Sequence, residues 1–104
     1  MNTDRELLEF AAKAEDRALG YWCDANQAFW CGVYWNPLTD DGDALRLVVK
    51  LNIWPVRRYD RDSIVVQRGS AYFDQLAECD IEGDALAATR RAIVMAAAEI
   101  GRAA

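Results

Sequence analysis

The 104-residue chain contains no histidine, and it has only two lysines, two prolines and three cysteines. Without histidine, the commonest general base, the usual catalytic triads and most zinc or iron sites are excluded. A catalyst would then have to use paired carboxylates, a lysine or a thiol. Neither a glycine-rich phosphate loop nor a nuclease-like acid–acid–lysine arrangement is present, so the chain reads as a non-enzyme with no catalytic residues and no cofactor. No apolar run approaches the roughly 20 residues that a membrane span requires. The cysteines, Cys23, Cys31 and Cys79, are odd in number and lack CxxC spacing. With no secretory signal ahead of them, they point to a reducing cytoplasm, to free thiols and to no metal site.

Hydrophobic residues, by contrast, make up 53% of the chain, too many for a disordered segment. The length fits a single domain over residues 1–104, small enough for a homodimer or higher homo-oligomer to add stability. The net charge of −5 argues against nucleic-acid binding by bulk charge. Eleven aromatics, four of them tryptophan, exceed what a small core needs, and the surplus suits an interface or a ligand pocket. Ten arginines supply planar forks for carboxylates, phosphates and aromatic faces, although a compositional bias towards arginine codons would give the same count.

Residues 1–19 predict a helix. Thr3 and Glu6 form a capping box, Leu7, Leu8, Ala11, Ala14 and Ala18 keep the helical stripe, and Gly20 is the expected stop. The aromatic stretch GYWCDANQAFWCGVYW (20–35) predicts a β-hairpin turning at Asp24–Gln27. Cys23 and Cys31 would lie across from each other in it, and Gly32 marks a bulge. Pro37 ends the second strand because it cannot donate a ladder hydrogen bond.

The acid-rich segment TDDGD (39–43) then predicts a helix start. Thr39 or Asp40 caps it, and Asp41 and Asp43 complement its dipole. Leu45, Leu47, Val48, Val49 and Leu51 form the expected buried face, Lys50 suits the C-terminal end, and Asn52 follows as the last residue. The segment lacks the order of a calcium loop. Its acids could also accept hydrogen bonds from a ligand's hydroxyl or amino groups.

Residues 53–69 predict a second hairpin turning at 60–62, with Arg57, Arg58, Arg61 and Arg68 crowded around Tyr59. These arginines either form a solvated face or grip an anion. Residues 70–83 read as irregular, anchored by Tyr72 and Phe73. Asp84 caps a long final helix reaching about Arg102, with Leu86, Thr89, Ile93, Ala96, Ala97 and Ile100 on its core face. The fold class is therefore α+β: helix, hairpin, helix, hairpin, long helix, with antiparallel sheet packed by helices. Adjacent arginines in a helix point about 100° apart, so one of Arg90 and Arg91 must flank that face. It would meet either Asp40–Asp43 or a ligand.

Three stretches, LLEFAAKA, WNPLTDDGDALRLVVKL and ALAATRRAIVMAAAEIGR, resemble a family of small proteins of tailed phages and prophages, similar to the NinX-like proteins. Trp35, Asn36, Pro37, Ala88, Arg90 and Arg91 match that pattern, which covers less than half the chain. The resemblance implies an accessory phage protein working in the host bacterial cytoplasm, by binding rather than by catalysis. One expectation is counter-defence by sequestering a nucleotide-derived immune signal. The other is an inhibitor, in the manner of anti-CRISPR proteins, that docks on a host defence protein through an aromatic and arginine surface. The candidate ligand residues are Trp30, Trp35, Asn36, Asp40, Arg57, Arg58, Arg90 and Arg91, serving a small nucleotide-like ligand or a host protein partner.

Overall fold

A computed structural model of the chain describes residues 3–69 and 74–104. Tyr72 and Phe73, the expected anchors, lie outside the described residues. The order is α1 (Asp4–Glu15), β1 (Trp22–Cys23), β2 (Ala28–Trp30), β3 (Tyr34–Trp35), α2 (Asp41–Leu51), β4 (Ile53–Arg58), β5 (Ser63–Arg68), β6 (Gln75–Asp80) and α3 (Ala85–Ala103). Two three-stranded antiparallel sheets result, β1–β2–β3 and β4–β5–β6. The fold is α+β, as the sequence pattern predicts, with helices packed on the sheet.

The helix starts follow local chemistry. Thr3 and Glu6 form the capping box on α1. Asp40 and Asp84 each accept the backbone N–H three residues on, at the starts of α2 and α3. The end of α1 differs from expectation. It closes at Asp16, which takes a left-handed conformation (φ 60°), and the Arg17 N–H bonds the Ala12 carbonyl at 2.8 Å. Gly20 is not the stop. A Cβ there would run into the Trp30 carbonyl, so glycine lets the chain pass close to β2. Asn52 closes α2 in the left-handed region (φ 54°), as expected.

The first hairpin turns where predicted, but its second arm divides. Gly32 (φ 90°) turns the chain, and β3 comes back to pair with β2. Cys23 pairs with Ala28, not Cys31, and all three cysteines are free. The second hairpin also forms as predicted. Its central strand β5 buries Ser63, Ile64, Val65 and Val66 in succession, so it needs a partner on both edges. β6 supplies the second edge, with a register shift between Val66 and Gln67. The segment read as irregular therefore contains a strand. Its residues have little strand propensity, and the open edge of β5 decides the matter.

α3 packs against α1 and the second sheet, and α2 leans on both helices. Trp35, Leu8, Leu47, Ile53, Val66 and Val94 are fully buried between these layers. Each aliphatic side chain there contributes about 1.5–3 kcal/mol of transfer free energy. Four residues expected in the core are exposed: Ala18, which lies past the end of α1, and Leu45 (61%), Val49 (73%) and Leu86 (65%). Successive helical residues rotate by 100°, so Ala44, Leu47 and Val48 take the inner face of α2 and turn Leu45 and Val49 outward.

Candidate functional site

The acids of the opening of α2 are bound into the structure. Asp40 accepts the Asp43 N–H at 2.8 Å. Asp43 is buried, and its carboxylate accepts the Asn36 N–H at 3.0 Å and Arg46 at 2.8 Å. Asp41 holds Arg90 at 2.7 Å, and Arg90 also donates to the Leu38 carbonyl at 2.8 Å. Asn36 caps the turn it begins: its Oδ1 accepts the Leu38 N–H, and its Nδ2 donates to the Gln27 carbonyl. The cluster reads as a stitched helix start, with Arg90 in an internal ion pair, one of the two alternatives expected for the arginine that flanks the core face of α3.

The remaining sequence candidates lie on separate parts of the surface or inside it. Trp35 is fully buried, so its ring faces are spent on the core. Trp30 sits edge-on to Tyr34, centroids 5.0 Å apart, on the first sheet. Arg57 pairs with Asp62 and Arg58 with Asp60 at the β4–β5 turn, and the Arg57 guanidinium lies 5.0 Å from the Tyr59 ring. Arg91 reaches Asp4 across the α1–α3 seam. Asn36 and Asp40 share a depression with Tyr34, while Arg57 and Arg58 line a different one. Convergence of all eight on one pocket is not what the fold builds.

A cleft of about 670 Å³ opens elsewhere, between the end of α1 and the outer face of α2. Its volume suits a small organic ligand. From α1 and the chain just after it come Glu15, Asp16, Arg17 and Ala18; from the β2–β3 turn comes Cys31; from α2 come Leu45, Arg46, Val49 and Lys50. The α2 contribution follows from spacing. Residues four apart stand one above the other, so Leu45 and Val49 make an apolar row and Arg46 and Lys50 a cationic row beside it. Lys50 makes no ion pair among the described residues.

Across from these rows, Glu15 is 8% exposed. One carboxylate oxygen, Oε1, accepts Arg17 Nε at 2.8 Å and Nη2 at 2.7 Å. The other, Oε2, is buried with no hydrogen-bond partner among the described residues. Arg17 in turn lies over the Trp35 ring at 5.3 Å and donates to Cys31 Sγ at 3.7 Å. Burial opposes the Arg17 charge, but the hydrogen bonds to Glu15 and Cys31 outweigh it and hold the guanidinium pKa above its ordinary value.

Sequence reasoning passed over this cleft. Its signal was a carboxylate on the inward stripe of α1, since Glu15 continues the Leu8–Ala11–Ala12 face. A charge at such a position is the informative kind of burial. Among the described residues no group of three or more Cys, Asp or Glu gathers to hold a metal ion, and no helix is long and apolar enough to cross a membrane. Compared with protein families, curated proteins and solved structures, the chain finds no match. The phage resemblance therefore rests on the three quoted stretches alone.

Proposed function

We propose that this chain is a non-enzymatic binding protein that holds a small nucleotide-like anion in the α1–α2 cleft. The observation that carries the reading is the pairing of rows on α2. Leu45 and Val49 offer an exposed apolar bed for a planar ring, and beside it stand Arg46, one N–H of which Asp43 holds, and Lys50, which makes no ion pair among the described residues, for a phosphate. Together with the resemblance to phage accessory proteins, this supports a role in the bacterial cytoplasm as a sponge for a nucleotide-derived defence signal. Heating the purified protein and identifying the released small molecules by mass spectrometry tests the reading. A phosphorylated nucleoside compound is expected, and Lys50→Glu should release much less of it. A protein that carries no such compound and takes up none of a nucleotide panel would refute the proposal.

A second reading has its own observation. A groove between α2, β4 and α3 leaves Leu45, Trp54 (51% exposed) and Leu86 uncovered. Apolar side chains of this kind suit docking on a host defence protein. Loss of activity against that protein on Trp54→Ala with Leu86→Ala, but not on Lys50→Glu, would favour the blocker.

A further inference from the structure

The cleft contains one group that a phosphate does not explain. Glu15 is a carboxylate turned inward at the end of α1, and only half of it is satisfied. Arg17 grips Oε1 with two N–H groups, which fixes the rotation of the carboxylate and leaves Oε2 without a donor. A buried charged acceptor without a partner costs free energy, and a ligand donor that displaces the side chains covering it would recover that cost. Ring carbonyls and unprotonated ring nitrogens would face it lone pair to lone pair.

We infer that Glu15 is the specificity residue of the cleft: its Oε2 accepts an N–H from the base edge, so the site selects nucleotides whose base presents an N–H there. This rests on the nucleotide reading above and adds the direction of the base to it. The base lies on Leu45 and Val49 with its N–H edge towards Glu15, and the phosphate lies towards Arg46 and Lys50. Both ends of the ligand are then matched, a donor to the carboxylate and an anion to the cations.

The test needs no variant in its first arm. Isothermal titration of the wild-type chain compares AMP and GMP with purine riboside 5′-monophosphate, whose base has no N–H. Binding of AMP or GMP about 10- to 100-fold tighter than the parent purine is the expected result, the range for a hydrogen bond to a buried charge. In the second arm, Glu15→Gln keeps the size of the side chain. Its carbonyl stays with Arg17, and its NH₂ turns a donor into the site. The preference should then shrink to within about threefold. Equal binding of all three nucleotides, all weakened by Lys50→Glu, would overturn the role of Glu15 while leaving the cleft as the nucleotide site. No binding of any of the three would overturn both. A preference for aminopurines that survives Glu15→Gln in a folded protein would place the reader of the base elsewhere and also defeat the inference.

Discussion

Replacing Gly101 with alanine sets two effects of known size against each other. In a helix, alanine is favoured over glycine by about 1 kcal/mol, and less near a frayed end. Gly101 lies two residues before Ala103, the last of α3, so that gain is a fraction of the full value. Against it stands a close approach of α3 to α1 at this residue. A Cβ on residue 101 would collide with the Phe10 carbonyl oxygen, and it would stand 2.8 Å from the Phe10 carbonyl carbon and 3.3 Å from the Ala14 nitrogen. Phe10 O and Ala14 N are acceptor and donor of one turn of α1, so the obstacle is backbone and cannot swing aside. Overpacking against movable side chains costs about 1–3 kcal/mol, and rigid backbone belongs at the upper end. The net loss should be about 2–2.5 kcal/mol. For a domain of this size that lowers the melting temperature by roughly 10–20 °C. Thermal unfolding followed by circular dichroism measures it. A Gly101→Ala protein that melts at or above the wild-type temperature would show that propensity wins and that the α1–α3 seam is looser than described.

Two further outcomes follow from the stitched start of α2. Asp40→Ala should lower stability by about 1 kcal/mol in urea unfolding, as a lost cap, while Thr39→Ala changes it by less than half as much. Equal losses would mean that the cap is shared. Arg90→Ala should cost about 1–2 kcal/mol, because the side chain is only 18% exposed and donates to the Leu38 carbonyl as well as to Asp41. Arg91→Ala, whose pair with Asp4 is exposed on both sides, should cost less than about 0.5 kcal/mol. The reverse order of the two arginines in chemical melts would contradict the hold of Arg90 on the Leu38 carbonyl and Asp41.

What the sequence determined by itself is the local part. The capping box at Thr3 and Glu6, the caps at Asp40 and Asp84, the turn at Asp24–Gln27 and the β-branched run of β5 each depend on residues within a few positions of one another. Their hydrogen bonds form in any context that lets the segment fold, so helix starts and hairpins were legible. Tertiary structure decided the rest. β6 exists because β5 has an open edge, not because Gln75–Asp80 favours a strand. Trp35 is core and Trp30 surface because the face of the first sheet that carries the paired Phe29 and Trp35 is the one turned to the core cluster, and alternation alone does not say which face is inside. Leu45 and Val49 are outside because the 100° step gives α2 one buried face, and the neighbouring helices chose Ala44, Leu47 and Val48 for it. The cleft has the same origin. Glu15 and Arg17 come from the end of α1 and the chain just past it, Arg46 and Lys50 from α2, and Cys31 from the β2–β3 turn. No spacing along the chain brings those five together; only the packing of three elements does.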